Sequence, residues 1–486
     1  MKDFARHSSN TFAAALAMVL CGCSTIFDSR SQKKPMMLLY ASGKFDEAAT
    51  LTKAKSESRK NTGDAFMWQL EEGSACFAEG KYKESLSAFR EAEKTANDFE
   101  KRAVVSARDG AAEGGAVITN QNAFPYKGNY CEKILLNAYK ALDYFALGDS
   151  EGARVELRRM YERQKEARDE FEDDIENAEK EANKNKYNSA NIINGVPEMK
   201  QINQIVDKQS NRALGDFVNP FATYLSAIGY LSGNDYGGAT VDFRNLYKMA
   251  KTNKLIQRDF ATCAKMSAMD VPPELSSVKP YDYSLTNDVI FVIFANGLAA
   301  AKKAITIHLV LPPPVTGYFG VAFPVLEYFP KPYKGLTVTD SCGNSVRTEV
   351  VAEMDPIISR EYKKALPGMI IRIFISVAAK ETANYFALKE AKKQGDGAYW
   401  VTVAAMSAYK YAFNTADTRC WQMLPKEYQI AHLKKPKNGK LKIEAIASNG
   451  SVQTKEIKVD NNKKMTILYV NSPGQGVLSV RAFEFN

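Results

Sequence analysis

Residues 73–92 read GSACFAEGKYKESLSAFREA and contain the pattern that organises the first half of the chain. Gly80 is followed after one residue by an aromatic, Tyr82, then by a small residue, Ser85, and four residues later by Phe89. Intervals of three and four place side chains on one face of an α-helix. The same helical spacing continues from residue 35 to about residue 270, without a convincing alternating strand. The sequence therefore predicts an all-helical first half.

The pattern recurs at regular distances along this half. An earlier copy begins at Gly43, and later copies begin at Gly148 and Asn234. Gly43 and Gly80 are 37 residues apart, and Gly80 and Gly148 are 68 apart, which is two repeats of about 34. A degenerate copy is therefore expected near Gly114.

These copies resemble tetratricopeptide (TPR) repeats. In that family, a glycine separates two helices, an aromatic packs into the turn, and small residues let the helices approach. The resemblance implies an N-terminal α-solenoid over residues 35–270, with repeat turns at Gly43, Gly80, Gly148 and Asn234. The Trp-Leu-Gly opening and closing proline of the family are mostly missing, so a generic helical bundle is the alternative.

A long charged stretch interrupts the repeats at residues 151–186. Its apolar residues form a thin helical stripe, and a polar bend at 188–197 leads to a returning apolar stripe. A narrow stripe of this kind is typical of a coiled-coil seam. The segment 151–215 is therefore predicted to be an antiparallel helical arm that protrudes from the solenoid. It is either a solvated helix pair or a surface that binds a partner.

Prolines change the composition at residues 271–288, which we interpret as a linker. Residues 289–486 then predict an α+β domain, sandwich-like, with an inserted helical hairpin at 355–394 and 397–414 that is broken near Pro367. The predicted strands are 289–294, 305–311, 319–323, 336–339, 346–353, 428–433, 441–448, 452–459, 465–470 and 477–485. The apolar stretches 304–326 and 369–388 predict domain core, with an apolar lip at a membrane surface as the alternative.

Composition excludes several classes of function. The net charge of +9 over 486 residues is spread along the chain, and no compact basic block indicates nucleic-acid binding. The few histidines and the lack of C-x-x-C or H-E-x-x-H predict no metal, no cofactor and no catalytic residues. The five cysteines after residue 23 are expected to be small buried residues, with Cys342–Cys420 as the candidate disulfide.

The N-terminus resembles a bacterial lipoprotein signal peptide. Lys2 and Arg6 precede a short apolar run, which ends in the lipobox Leu20, Cys21, Gly22 and Cys23. The resemblance implies a signal peptide over residues 1–22, lipidation of Cys23 and a polar linker over 23–34. The run is too short to span a bilayer, and an ordinary secretory signal is the alternative. Ser24 after the lipidated cysteine suggests the outer membrane, facing the periplasm.

The stretch NTADTRCW at residues 414–421, followed by Leu424 and Pro425, is the most site-like in the chain. One interpretation is a recognition corner, in which Arg419 binds a carboxylate or a glycan beside Trp421. The other is that Asp417 and Arg419 pair to hold a helix–strand junction, with Trp421 in the core.

Together, these features resemble an uncharacterised family of bacterial TPR-containing lipoproteins. They are the lipobox, the degenerate repeats, the stretch 296–312 and the motif of residues 416–425. Members are predicted outer-membrane lipoproteins, often encoded beside a lipoprotein activator of peptidoglycan synthases. The resemblance implies a role in envelope assembly but no activity. The family usually has serine where this chain has Cys420, so no essential role for that thiol is implied.

These expectations favour a non-enzymatic scaffold that is anchored to the membrane by its N-terminal lipid. Its solenoid would present a concave surface to an envelope protein partner. The alternative is a lipoprotein that binds peptidoglycan or another glycan through aromatics of the C-terminal domain. An envelope hydrolase with a carboxylate pair is the third, weakest hypothesis.

Overall fold

The computed structural model describes residues 29–108, 124–184, 195–311, 317–413 and 415–486. The chain is an α+β protein, with a helical N-terminal region and a sheet-rich C-terminal region. Three predicted features lie outside the described residues: the signal peptide with its lipobox and Cys23, the degenerate repeat near Gly114, and most of the bend in the arm.

Ten α-helices precede the first strand in the described ranges, and many neighbours in sequence pack against each other. They are α1 Ser29–Ala41, α2 Phe45–Arg59, α3 Ala65–Glu79, α4 Tyr82–Arg108, α5 Tyr130–Ala146, α6 Ser150–Lys184, α7 Pro197–Ser210, α8 Pro220–Ser232, α9 Tyr236–Met249 and α10 Lys254–Met266. A 3₁₀ turn, Pro273–Leu275, follows them.

The proposed repeat turns share one backbone geometry. Gly80 ends α3 with a φ of 97°, and its N–H donates to two carbonyls of the last turn of that helix. The other three also have positive φ: Gly43, Gly148 and Asn234. A Cβ atom added to Gly73 would lie 2.5 Å from the Phe89 ring, so α3 and α4 approach each other closely at a glycine.

The C-terminal region contains eleven described strands and two helices. The strands are β1 Val289–Asn296, β2 Ala301–Leu311, β3 Gly317–Glu327, β4 Tyr333–Asp340, β5 Ser345–Arg347, β6 Glu349–Glu353, β7 Glu427–Lys434, β8 Lys440–Ala447, β9 Val452–Lys458, β10 Met465–Ser472 and β11 Ser479–Phe485. The helices are α11 Met354–Lys393 and α12 Asp396–Phe413. They form a five-stranded sheet (β11-β10-β1-β7-β6), a four-stranded sheet (β5-β4-β8-β9) and the hairpin β2-β3.

The central strand β1 explains how the layers fit together. It pairs in parallel with β10 and antiparallel with β7, and all eight of its residues are buried. Ile290, Val292 and Phe294 pack towards the four-stranded sheet, whereas Phe291 and Ile293 belong to the core that includes the helices. A strand covered on both faces needs a continuous apolar run, which is what β1 has.

The stretch 346–353, predicted as one strand, is two strands in different sheets. β5 pairs with β4, and β6 pairs with β7. Between them, the Thr348 hydroxyl is buried and donates to the Gln429 side chain at 2.6 Å. This polar residue marks the crossing from one sheet to the other.

Helix α11 is not broken at Pro367, contrary to the expected break. Leu366 and Ile370, on either side of the proline, are buried in a third core between α11 and the β2-β3 hairpin. Packing therefore holds both halves of the helix in line despite the missing N–H of proline.

Helix α7, the returning helix of the predicted arm, packs mainly on α11 and β2. Its Met199 and Val206 are buried in the third core. The seam on α6 is narrow, so the larger apolar surface of α11 attracts α7 more strongly than a two-helix seam would. Within the described residues, no helix has the length and hydropathy needed to cross a membrane.

Candidate functional site

The predicted recognition corner lies at the boundary between the helical region and the sheets. Residues 415–424 leave α12 and lead to β7. Arg419 is 3% exposed and Trp421 is 2% exposed, and Asp417 is half-buried. A surface site that binds an external carboxylate or glycan is therefore not available here.

Arg419 is held by partners from both regions of the chain. Its Nη2 and Nε atoms donate to the two oxygens of Asp417, at 2.8 and 2.9 Å. Its Nη1 donates to Asp64 at the start of α3, at 3.1 Å, and to the Phe124 carbonyl, at 2.9 Å. The guanidinium also lies 5.4 Å from the centre of the Tyr126 ring. It crosslinks the corner to the helical region.

Asp417 and Arg419 each stabilise the charged form of the other. Burial by itself would raise the pKa of the Asp417 carboxyl, but the Arg419 guanidinium outweighs burial and holds that pKa below its ordinary value. Burial likewise opposes the charge of Arg419, and Asp417 and Asp64 together raise its pKa. Both groups are therefore ionised at neutral pH.

Trp421 fills the space between α3, α4 and α5. Its ring lies 5.7 Å from Phe89 and 5.3 Å from Tyr139, measured between centroids. Its indole N–H donates to the Ser74 hydroxyl at 2.8 Å. Its backbone N–H donates to Glu132 at 2.8 Å. The tryptophan is core, as the second interpretation of the motif held.

A buried carboxylate of α3 binds the next residues of the same segment. Glu71 accepts the backbone N–H groups of Gln422 and Met423, at 2.8 and 3.2 Å, and forms an ion pair with Lys33 of α1 at 3.1 Å. Burial raises the pKa of Glu71, and Lys33 is the main group opposing that rise. The helical region thus binds residues 417–423 of its own chain as a receptor binds a peptide.

A second buried network of polar side chains, which the sequence did not predict, connects the helices to the central sheet. His432 of β7 contacts Asp259 of α10 at 2.6 Å through Nε2, and Tyr283 at 3.0 Å through Nδ1. Tyr224 of α8 donates to the other Asp259 oxygen at 2.5 Å. Asp259 and His432 are 173 residues apart, and no motif connects them.

This Asp–His–Tyr network joins α8, α10 and strand β7. Asp259, His432 and Tyr224 are all buried. Burial, and then the Asp259 carboxylate, raise the pKa of Tyr224 well above its ordinary value, so the phenol stays protonated. Groups arranged in this way could relay a proton. Here, however, all three are buried in the core, and their hydrogen bonds connect α8 and α10 to β7 of the central sheet.

A small cleft between α5 and α11 is lined by charged residues. Glu361 accepts the N–H groups of Tyr130 and Cys131 at the start of α5, at 2.6 and 3.1 Å. Asp216 forms ion pairs with Arg360 and Lys364, at 2.7 and 2.6 Å. The cleft has room for about one water molecule. It is a helix cap with its ion pairs, too small for a substrate.

The inner face of the helical region is covered by the five-stranded sheet. Phe145 stacks on Phe485 with ring centroids 4.8 Å apart. Phe221 lies parallel to Tyr428 at 3.6 Å. This face of the helical region is therefore covered by the C-terminal region of the same chain, so it is not open to a partner.

Large apolar side chains are exposed on the α11-α12 hairpin. Trp400 is 66% exposed, and Val401, Phe386 and Tyr385 are also exposed. The other two tryptophans of the chain, Trp68 and Trp421, are buried. Residues 369–388 of this hairpin were predicted to be domain core, with an apolar lip at a membrane surface as the alternative, and Tyr385 and Phe386 within them are exposed.

The cysteines of the described ranges are all free. Cys342 is exposed in a turn, whereas Cys420 is buried, so the candidate disulfide between them does not form. Four of the five are buried, namely Cys76, Cys131, Cys263 and Cys420. Burial, more than any other influence, raises the pKa of Cys420, which makes its thiol unreactive. In the described residues, no group of three or more side chains is arranged to hold a metal ion.

No protein-family model, no curated protein and no solved structure matches this chain.

Proposed function

We propose that the chain is a non-enzymatic, lipid-anchored protein of the bacterial cell envelope that binds partner proteins beside a membrane. Its helical region is of the TPR type in this proposal, and the C-terminal sheets form a sandwich-like domain. The lipobox at residues 20–23 and the recurring turn motif support this, together with the resemblance to TPR-containing outer-membrane lipoproteins.

The attachment of α1 to the rest of the protein carries the proposal. Lys33 is fully buried, pairs with Glu71 and donates to the Cys420 carbonyl. The Ser29 and Thr418 hydroxyls lie 3.0 Å apart. The six residues Cys23–Asp28 span at most about 20 Å when extended. A lipid on Cys23 would therefore hold the folded body close to the membrane, as an anchor requires.

Partner proteins would bind the outer surface, because the inner face of the helices is covered. Tyr161 of α6 is 61% exposed, and Tyr230 is exposed on α8, which packs against α6. These helices approach closely, since a Cβ on Gly229 would lie 2.4 Å from Leu157. Exposed tyrosines on rigid, closely packed helices suit a protein-binding surface.

Lipidation is tested with Cys23→Ala in the full chain. The variant should lose palmitate labelling and leave the membrane fraction, since two or more acyl chains are needed for stable anchoring. Cys342→Ala is the matched control because Cys342 is the exposed thiol of the described residues. Palmitate on the Cys23→Ala chain, or none on the unaltered chain, would rule the anchor out.

Partner binding is tested with a photo-crosslinking amino acid at Tyr161 in the lipidated chain. A discrete crosslinked envelope protein is expected, and the same reagent at exposed Val452 of β9 should capture none. Identical products from both positions would argue against a specific surface. Co-sedimentation of the whole chain with purified sacculi, without a protein partner, would instead favour the peptidoglycan alternative.

A further inference from the structure

The α11-α12 hairpin has an exposed surface made of apolar and aromatic side chains. Helix α12 contains 18 residues, and between Asp396 and Lys410 it has no charged side chain. Trp400, Val401, Ala404 and Ala405 are exposed at intervals of one and four residues, which places them on one face. This face is apolar and is led by a tryptophan.

The partner helix adds to this surface. Tyr385 and Phe386 of α11 are exposed, with their rings 5.5 Å apart. Three exposed lysines follow close to the turn of the hairpin, Lys389, Lys392 and Lys393, of which Lys393 forms an ion pair with exposed Glu390 at 2.8 Å. Aromatic side chains next to lysines are typical of segments that lie in the headgroup layer of a membrane.

The base of the hairpin lies where the N-terminal tether begins. Phe413 ends α12, and Thr418, five residues later, contacts Ser29 of α1. Trp400 is 13 residues before the end of α12, which corresponds to about 20 Å along a helix. The tether from Ser29 to Cys23 is about as long when extended. Cys23 and Trp400 can therefore reach the same membrane surface.

We propose that the exposed face of the α11-α12 hairpin binds the headgroup layer of an anionic lipid bilayer, with Trp400 inserted at the interface. This rests on the proposed function only in that the lipid on Cys23 would bring the bilayer within reach. The hairpin lies on the surface and does not cross the membrane, consistent with the hydropathy of its helices. The three lysines outnumber the acidic Glu390 and Asp396 beside the turn, which favours anionic lipid over a neutral surface.

Tryptophan fluorescence provides the test, because Trp400 is the exposed tryptophan among the three. The lipidated chain is reconstituted in vesicles of phosphatidylethanolamine and phosphatidylglycerol with brominated acyl chains. Quenching and a blue shift of Trp400 emission are expected. Trp400→Phe should abolish both changes, since Trp68 and Trp421 are buried. Emission that the brominated lipid leaves unquenched would overturn the proposal.

The unlipidated Cys23→Ala chain separates this inference from the proposed function. With the same vesicles it should show the same shift and co-sediment with them. The double variant Phe386→Ser, Trp400→Ser in that background should bind at least about tenfold more weakly, because two large apolar side chains no longer leave water. Val452→Ser, at an exposed apolar side chain of β9, is the matched control and should bind normally.

Each failure has its own meaning. If palmitate labelling fails but Trp400 of the Cys23→Ala chain is quenched, the anchor is wrong and the lipid-facing hairpin stands. If labelling succeeds but Trp400 of the lipidated chain is not quenched, the anchor stands and the hairpin proposal is wrong. A shift that grows with protein concentration in the absence of lipid would show that a second copy covers the face, and it would also overturn the proposal.

Discussion

The polar corner at 415–424 is buried, whereas the apolar α11-α12 hairpin is exposed, which is the reverse of what their residue types suggest. The corner contains an aspartate, an arginine and a tryptophan, and it is buried with its main polar groups paired. The hairpin contains an apolar helix, and it exposes Trp400 to solvent. Composition alone would assign the first to a binding site and the second to a core.

The difference shows that partners decide the role of a residue. Around the corner, Asp64, Glu71 and Glu132 of the helical region accept its donors, so charge is tolerated inside. On the hairpin, Phe386, Trp400 and Val401 are exposed, so these apolar side chains lack a covering layer. Three predictions test this contrast.

The largest effect is expected for the tryptophans of the two regions. Trp421→Ala should lower the free energy of unfolding by about 3–5 kcal/mol, because it leaves a cavity in the core. Trp400→Ala should change it by no more than about 0.5 kcal/mol, as for an exposed residue. Urea unfolding of both variants measures the difference. Equal losses would mean that the two side chains share one environment.

A slightly smaller effect is expected when the charge of the corner is removed. Arg419→Met keeps much of the volume but leaves Asp417 and Asp64 without their cation, which should lower the free energy of unfolding by about 3 kcal/mol. Arg481→Ala is the surface control, since Arg481 donates to the Glu79 carbonyl at 2.8 Å in an exposed contact. It should lower that free energy by about 1 kcal/mol or less. If Arg419→Met left the free energy of unfolding unchanged, Arg419 would not stabilise the contact between the corner and the helical region.

The smallest effect contrasts a buried carboxyl, Asp242, with a half-buried one, Asp417, as the pH changes. Burial raises the pKa of Asp242 to about 6. Its protonated form is then favoured in the folded state, so its stabilisation is complete below pH 4 and is lost as the pH rises to 6. Asp417 has a lowered pKa, so its stabilisation is present above pH 4 and is lost as the pH falls through the folded pKa.

Asparagine at the two positions should therefore act in opposite directions at pH 7. Asp242→Asn should raise the free energy of unfolding, and Asp417→Asn should lower it, each by about 2 kcal/mol. Unfolding at pH 4, 5.5 and 7 measures both, and the Asp242→Asn variant should lose the decline between pH 4 and 6. Changes of the same sign at pH 7 would contradict the assignment.

Local structure could be predicted from the sequence, whereas the way the regions meet could not. The spacing around Gly80 predicts helices and their turn, and the alternating or continuous apolar runs predict every strand region of the C-terminal half. The prediction of a single strand at 346–353 was wrong, because the change of sheet at Thr348 depends on its hydrogen bond to Gln429, 81 residues away. Arg419 and Asp64 are 355 residues apart, so no local pattern could show their contact.

The placement of β1 has a consequence for biogenesis. Its two neighbours, β7 and β10, are made about 130 and 170 residues later by the ribosome. Until they emerge, the apolar face of the helices that Tyr428 and Phe485 cover remains open to water. That face is therefore exposed throughout the synthesis of these strands, and the native packing can form only once β7, β10 and β11 have all been made.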